Sequence, residues 1–214
     1  MTNVDQLFDE LIELGQHPKQ KADTVTILEK IGHFLDEENE RLYRQFKKQG
    51  HDKRQATDLI SENLDIQRIL KKSSKHWDGG FAMAGMIGNG DAFVLRDPAA
   101  IRPAYYYKDD EVVVVASERP VIQTVFNVPF EEVKEIERGA ALIIQKNGEV
   151  SEKPVMKRLP RKACSFERIY FSRAGDAEIY RERIRLGQFV CKEVFKTIDH
   201  ELEDSVLSFI PNSA

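Results

Sequence analysis

The stretch of residues 77–118 constrains the fold of this chain more than any other. Glycine pairs, β-forming residues and turn dipeptides alternate there more densely than elsewhere in the 214 residues. Residues 81–87 form a strand-like run rich in small residues, and residues 92–95 form a second one. The dipeptide Asn89-Gly90 between them is typical of a type I′ hairpin. The chain is therefore expected to be organised around an antiparallel sheet.

More strands are predicted on the C-terminal side of this hairpin. Residues 104–107 and 112–116 suggest a second antiparallel pair. The four consecutive valines in the latter run are apolar on both faces, which predicts a central strand covered on both sides. Residues 140–145 lead through Asn147-Gly148 into a further strand from Val150.

Helical spacing of apolar residues dominates the rest of the chain. Thr2 or Asn3 is placed to cap the first helix, and Gly15 is suited to end it. The second helix is expected to contain a break. The predicted helices are residues 4–14, 23–48, 54–72 and 178–200, with a short helix or turn at 121–126. The predicted buried stripe of the second helix is Ile27, Leu28, Ile31, Phe34, Leu35 and Leu42.

The C-terminal part of the chain is less regular. Residues 154–162 are basic, contain two prolines and predict a linker, whereas residues 165–171 alternate in the manner of a strand. Residues 205–210 form a β-type run followed at once by Pro-Asn-Ser-Ala. We expect the sequence to stop inside the first element of another domain. A short C-terminal edge strand is the alternative.

Composition argues against several classes of function. The chain carries 32 basic and 36 acidic residues, so no excess of positive charge favours nucleic acid as a partner. No apolar run approaches the roughly 20 residues of a membrane-spanning helix, and the first residues do not form a signal peptide. Two cysteines, Cys164 and Cys191, are too few for a disulfide framework and fit a reducing cytosol. A cytoplasmic location is therefore expected.

Two blocks of sequence resemble one enzyme family. The first consists of Trp-Asp-Gly-Gly-Phe at 77–81, Arg-Asp-Pro-Ala-Ala-Ile-Arg-Pro at 96–103 and Val-Ala-Ser-Glu at 115–118. The second is Cys-Ser-Phe-Glu-Arg-Ile-Tyr-Phe-Ser-Arg at 164–173. Both resemble the glutaminase half of the amidophosphoribosyltransferases, or glutamine phosphoribosylpyrophosphate amidotransferases. The second block argues against other class II glutamine amidotransferases, such as asparagine synthetases.

The resemblance implies an α+β fold of the N-terminal-nucleophile hydrolase type, with antiparallel sheets layered between helices (αββα). It implies an enzyme whose N-terminal cysteine attacks the glutamine amide, with its own α-amine as the base. The ammonia then displaces pyrophosphate from phosphoribosylpyrophosphate to give phosphoribosylamine, in the first step of de novo purine synthesis. Glutamine and phosphoribosylpyrophosphate are the implied partners, and a homo-oligomer is expected.

This sequence departs from the family pattern at the catalytic residues. It begins with Met1, and neither Cys164 nor Cys191 can act as an N-terminal nucleophile. The family's Cys-Gly-Ile start, its glutamine-carboxylate arginine and its oxyanion-hole Asn-Gly pair are absent. So are the acidic pair and the glycine-rich loop that bind phosphoribosylpyrophosphate. We therefore expect residues 1–176 to be a partial class II glutaminase domain without its N-terminal strands. Residues 177–214 are expected to be a connecting helix and the truncated first strand of a phosphoribosyltransferase domain.

Asp23 and Thr24 are the candidate substrate-binding residues. They align within one residue with a family aspartate that binds the α-amino group of glutamine near a helix start. An aspartate or threonine at this place is also a normal N-cap. Both interpretations remain open on the sequence alone.

Arg96, Asp97 and Arg102 are the charged members of the central motif. Such a cluster could line a glutamine pocket. We favour a structural role, in which Asp97 and Arg102 form a charge-assisted bridge that fixes a corner between strands. Relatives have glycine at the position of Ala100, so an alanine there suggests either a negative φ or mild strain.

Cys164 matches a position that ligates an iron–sulfur cluster in cluster-bearing relatives. A cubane cluster needs four cysteines, so this segment cannot hold one alone, and a buried free cysteine is the alternative. The cofactors implied for an intact enzyme are Mg²⁺ and an iron–sulfur cluster, with none in this segment. The five histidines show no metal-binding spacing.

Two hypotheses of function follow. The first is a fragment of an amidophosphoribosyltransferase that lacks the catalytic residues and is inactive alone. The second is a natural non-catalytic module with a glutaminase-like scaffold that binds a partner or a small molecule.

Overall fold

The computed structural model describes residues 1–208 and divides into two compact units. The first unit comprises Met1–Ala104 and Glu135–Lys162, and the second comprises Tyr105–Lys134 and the residues from 163 onward. In chain order the helices and strands are α1 (Val4–Glu13), α2 (Asp23–Lys48), α3 (Lys53–Asn63), α4 (Ile66–Ser73), β1 (Ala82–Met86), β2 (Ala92–Arg96), β3 (Tyr105–Lys108), β4 (Val113–Ala116), α5 (Arg119–Phe126), β5 (Lys134–Glu135), β6 (Ala140–Ile144), β7 (Val150–Pro154) and α6 (Ala177–Thr197). The mixture of helices and antiparallel strands agrees with the predicted α+β class.

The helices of the first unit follow the predicted periodicity with three corrections. Helix α2 is continuous over 26 residues, so the predicted break is wrong. The predicted third helix is two helices, because Leu64 has extended backbone and Asp65 starts α4 by accepting a hydrogen bond from the Arg68 N–H. Asn3 is the N-cap of α1 but makes no side-chain cap, since its Oδ1 accepts the N–H of Asp78 instead.

Four antiparallel strands form the sheet of the first unit, in the order β1-β2-β6-β7. The register pairs Ala82 with Arg96 across β1 and β2, and Ala92 with Ile144 across β2 and β6. One core cluster joins this sheet to α1 and α4, and its members are Leu7, Ile66, Leu70, Trp77, Phe81, Phe93, Leu95, Ala141 and Ile143. The helices therefore cover one face of the sheet through a shared apolar core.

Both predicted hairpins of this sheet exist, but their turns are not of type I′. A type I′ turn needs positive φ at both central residues, and only Gly90 (φ +100°) and Gly148 (φ +86°) meet this condition. The Gly90 N–H donates to the carbonyl of Ile87, and the Ile87 N–H donates to the carbonyl of Asp91. This pattern is a type I turn followed by a left-handed glycine. The asparagine side chain stabilises it, because Asn89 Oδ1 accepts the N–H of Asp91.

The second unit contains the β3–β4 hairpin and the helices α5 and α6. Tyr105 pairs with Ala116 and Lys108 with Val113, and the sheet order is β4-β3-β5. The valine-rich β4 is thus an edge strand, and all four of its residues are only half-buried. The prediction of a central strand covered on both faces is wrong. Apolar character alone could not distinguish a buried strand from an edge strand that packs one face on α5.

The predicted strand at 165–171 is also wrong. Residues Glu167–Phe171 form a π-helical turn, closed by a 2.7 Å hydrogen bond from the Ser172 N–H to the carbonyl of Glu167. The rings of Phe166 and Tyr170 stack with centroids 4.9 Å apart. Side chains four residues apart meet in this way on a helical turn and not on a strand. The spacing of four residues between Phe166 and Tyr170 fits a helical turn, whereas the alternation on which the strand prediction rested was misleading.

The remaining segments are irregular. The linker predicted at 154–162 is irregular from residue 155 onward, whereas Pro154 is the last residue of β7. Residues 205–208 contain no strand. The rest of the predicted C-terminal β-type run, residues 209–210, lies outside the described residues. Among residues 1–208, none of the helices combines the length and the apolar character that crossing a membrane requires.

Candidate functional site

A groove of about 700 Å³ lies between α2 and β1 in the first unit. We call it the α2–β1 groove. Its α2 wall carries Asp23, Thr24, Ile27, Leu28, Ile31, Gly32 and Leu35, and the facing wall is formed by residues 80–88 with Met1, Phe93 and Arg102. The groove is mainly apolar, with an acidic residue and a basic residue on its walls.

The α2 wall corrects the predicted buried stripe of that helix. Leu28 is 70% exposed, and Ile27, Ile31 and Leu35 are half-buried along the groove, whereas Leu42 is buried in the core. Of the six residues of the predicted stripe, only Leu42 is buried. The other buried residues of α2 are Thr26, Lys30, Glu38 and Phe46. The spacing of apolar residues could not show that part of the apolar face borders an open groove.

Asp23 is the first residue of α2, and Ala22 is the N-cap. The alternative in which Asp23 or Thr24 caps the helix is therefore not observed. The Asp23 carboxylate lies 3.2 Å from the α-amino group of Met1 and accepts the N–H of Thr24 at 2.8 Å. The hydrogen bond from that amino group, followed by the one from Thr24, holds the pKa of Asp23 below its usual value. The carboxylate is thus ionised at neutral pH on the wall of the groove.

Asp97 organises the corner after β2. Its side chain is fully buried, and Oδ1 accepts the N–H groups of Ala99 and Ile101 while Oδ2 accepts the N–H of Arg102, all at 3.0 Å. The sequence predicted a bridge between this carboxylate and the Arg102 guanidinium, and the structure shows a hydrogen bond to the carboxylate from the backbone N–H of that residue. A buried carboxylate with three N–H donors fixes the corner more tightly than one side-chain bridge.

Arg96 completes the same corner. It is 2% exposed, its Nε donates to the carbonyl of Arg102 at 2.8 Å, and its Nη1 donates to the carbonyl of Ile136. Its Nη2 lies 2.7 Å from Glu135. Arg102 is therefore held at both its N–H and its carbonyl. The corner places Arg102 on the wall of the α2–β1 groove, which also carries Asp23.

Ala100 has φ of +52° and is 3% exposed. The sequence left two alternatives for Ala100, a negative φ or mild backbone strain. The positive φ rules out the first and agrees with the second. The left-handed conformation costs a residue with a Cβ about 1 kcal/mol. The turn demands this conformation, because the Ala100 N–H donates to the carbonyl of Asp97 while Asp97 binds the backbone on either side.

Neither cysteine lines the groove. Cys164 is half-buried rather than buried, and Cys191 is exposed on α6. Within residues 1–208, no three His, Cys, Asp or Glu side chains cluster closely enough to hold a metal ion. The thiolates available in this part of the chain do not fit a four-cysteine cluster, so the cluster-ligand role of Cys164 stays a prediction that depends on residues elsewhere.

Comparison with known proteins shows what this arrangement is similar to. The profile of the glutamine amidotransferase domain matches residues 32–124. The amidophosphoribosyltransferase of Archaeoglobus fulgidus is 25% identical over 218 residues, which is 100% of this chain and 40% of the relative. Residues 32–124 are therefore similar to the glutamine amidotransferase domain, and the chain as a whole is similar to amidophosphoribosyltransferases. The enzyme of Pseudomonas aeruginosa is similar to the segment at 24% identity over 95% of this chain and 38% of its own length.

A solved structure supports the fold of the segment. The glutamine phosphoribosylpyrophosphate amidotransferase of B. subtilis, complexed with ADP and GMP, superposes with a TM-score of 0.54 at 26% identity. The match covers 80% of this chain and 30% of that chain. The predicted N-terminal-nucleophile hydrolase class is thereby confirmed. The chain spans about two fifths of the length of these two relatives.

Proposed function

We propose that this chain forms part of the glutaminase half of an amidophosphoribosyltransferase. In the whole protein, glutamine is hydrolysed and its ammonia is transferred to phosphoribosylpyrophosphate to give phosphoribosylamine. The observation that carries this proposal is the similarity to amidophosphoribosyltransferases along 95% to 100% of the chain. The groove adds support, because it offers an ionised carboxylate beside an apolar wall.

Asp23 is the residue assigned to the substrate. Its carboxylate binds the α-amino group of Met1 in this structure, and we propose that the α-ammonium group of glutamine takes that place in the whole protein. The apolar α2 wall accommodates the methylene groups of the glutamine side chain. A charge-assisted hydrogen bond of this kind contributes about 1.5 to 3 kcal/mol. Thr24 supports Asp23 through its N–H, which orients the carboxylate at the helix start.

The 214 residues alone are proposed to release no ammonia. Neither Cys164 nor Cys191 lines the groove, and neither has the free α-amine that would serve as the base. We propose that residues 1–176 belong to the glutaminase part and that residues 177–214 lead into a phosphoribosyltransferase domain. Mg²⁺ at phosphoribosylpyrophosphate and a homo-oligomeric state belong to the same proposal for the whole protein.

The proposal is tested in the protein encoded by the whole gene, with glutamine and with ammonium salt as alternative nitrogen donors. Asp23→Asn should raise the KM for glutamine about 10- to 100-fold and leave the ammonium-dependent rate unchanged. Asp36→Asn is the matched control, because Asp36 is exposed on the same helix and does not line the groove. Equal KM values for the two variants would refute the role of Asp23.

The second candidate is a non-catalytic binding module, and the volume of the open groove favours it. Titration calorimetry of the 214-residue chain with glutamine separates the two candidates. Saturable binding without any release of ammonia supports the module. Release of ammonia by the chain alone would contradict both.

A further inference from the structure

The two Asn-Gly dipeptides of the first unit, Asn89-Gly90 and Asn147-Gly148, lie in hairpin turns with the same hydrogen bonds along the backbone. In both turns the glycine N–H donates at 2.9 Å to the carbonyl three residues earlier, and the glycine φ is positive. The Oδ1 atom of Asn89 accepts the N–H two residues further on at 3.0 Å, and that of Asn147 does so at 2.9 Å. The turns differ in how the NH₂ group of the asparagine is bound.

The NH₂ group of Asn89 makes two hydrogen bonds, which use both of its donor hydrogens. It donates to the carbonyl of Ser61 at 3.0 Å and to Oδ2 of Asp91 at 2.9 Å. Asp91 is 5% exposed, and its Oδ1 accepts the N–H of Lys146 at 2.8 Å, so this carboxylate is itself fixed in place. Rotation of the Asn89 side chain therefore requires two hydrogen bonds of the NH₂ group to break.

The NH₂ group of Asn147 is not restrained in this way. Among residues 1–208, its amide nitrogen donates a hydrogen bond to no protein atom. Asn147, Gly148 and Glu149 are all exposed. A Cβ on Gly148 would have no atom within 4 Å, so no neighbouring group obstructs the approach of this glycine to the asparagine side chain.

We propose that Asn147 is a site of spontaneous deamidation and that Asn89 is protected from the same reaction. The backbone nitrogen of Gly148 gives up its proton to a base in the solvent and attacks Cγ of Asn147. A new C–N bond closes a cyclic succinimide, and the bond from Cγ to the amide nitrogen breaks. That nitrogen takes up a proton and leaves as ammonia. Water then opens the ring, at Cγ to give aspartate or at the backbone carbonyl carbon to give isoaspartate.

This reaction needs only water and is independent of the proposed function. It releases one ammonia for each asparagine that reacts, whereas an enzyme that hydrolyses glutamine continues for as long as glutamine lasts. Ammonia released by the folded chain without glutamine is therefore assigned to Asn147. Isoaspartate also adds a carbon atom to the backbone of the turn, whose ends are fixed by the pairing of Ile144 with Val150. Formation of isoaspartate thus disturbs the turn, and formation of aspartate leaves the backbone path unchanged.

The test follows both sites in the same molecule by peptide mapping with mass spectrometry, during incubation at mildly alkaline pH without glutamine. Asn147 should deamidate about 10- to 100-fold faster than Asn89, because Asn89 must first lose two hydrogen bonds, one of them to a carboxylate. In urea the two sites should react at similar rates, since both turns are lost. The ratio of the rates should fall over the same urea range in which the emission of Trp77 changes. The same order of rates is expected in the protein encoded by the whole gene.

Two variants test the cause of the difference. Asn147→Gln should remove most of the ammonia that the folded chain releases without glutamine. Asp91→Ala removes one acceptor of the Asn89 NH₂ group and should raise the rate at Asn89 about tenfold, whereas Asp58→Ala, at an exposed position on α3, should change neither rate. Equal rates in the folded chain, or a faster reaction at Asn89, would overturn the proposal. So would a ratio that persists in urea, or an Asn147 that reacts only after unfolding.

Discussion

Asp97→Asn gives the sharpest measure of what the corner after β2 contributes to stability. The substitution keeps the size of the side chain but replaces one carboxylate oxygen by an NH₂ group. One oxygen can still accept the N–H groups of Ala99 and Ile101, whereas the amide must then face the Arg102 N–H as a second donor. Loss of one charge-assisted bond at a fully buried site should cost about 2 to 3 kcal/mol. Asp97→Ala removes both acceptor oxygens, and with them all three hydrogen bonds, and should cost about 4 to 5 kcal/mol.

Urea unfolding followed by fluorescence measures both costs. Trp77 is the only tryptophan, and it is 6% exposed in the core of the same unit, so its emission reports that unit. Asp58→Asn is the control, because Asp58 is exposed on α3 and its loss should cost less than about 0.5 kcal/mol. Equal costs for Asp97→Asn and Asp97→Ala, or an Asn cost below about 1 kcal/mol, would show that the three hydrogen bonds do not hold the corner.

Three further stability measurements follow from single positions. Gly139→Ala should destabilise the first unit by about 2 kcal/mol, since Gly139 has φ of +68° and a Cβ there would lie 2.8 Å from a backbone carbonyl oxygen. The urea unfolding midpoint measures this loss of stability, and an unchanged midpoint would contradict the prediction. Ala100→Gly should raise stability by about 0.5 to 1 kcal/mol, because it relieves the positive φ; a lower melting temperature would speak against strain there. Burial raises the pKa of Glu10, but hydrogen bonds from Lys30 and His76 outweigh it, so the folded pKa lies below 4.5. Ionised Glu10 therefore contributes stability that is complete above pH 4.5 and lost as the pH falls below it, and Glu10→Gln should flatten the acid side of a plot of urea midpoint against pH.

Local periodicity predicted the elements that depend on local interactions. Helices α1, α2 and α6 and both hairpins of the first unit lie where the spacing of apolar residues and the Asn-Gly dipeptides placed them. The turn type of these hairpins could not be predicted from the sequence, because Asn-Gly fits both a two-residue turn and a type I turn with a following glycine. The edge position of β4 depends on which strands pair with β3, and four valines carry no information about that.

The candidate site was predictable only in its charged members. Asp23, Arg96, Asp97 and Arg102 were identified from motifs, and the structure brings Asp23 and Arg102 to the same groove. The groove itself depends on the open space beside β1, which no residue pattern encodes. Apolar residues on α2 serve equally well as core and as groove wall, so the sequence could not separate the two.

The division of the first unit into two stretches of chain has a consequence for its synthesis. Strand β2 pairs Ala92 with Ile144, so it obtains its second neighbour only after another 50 residues or so have left the ribosome. Until then the nascent chain has α1 to α4 and the β1–β2 hairpin, with the side of β2 that will pair with β6 unoccupied. Leu95, which is fully buried in the folded protein, lies on β2. Translation pauses between residues 104 and 140 should therefore prolong the interval in which chaperones bind this protein, and removal of such pauses should shorten it.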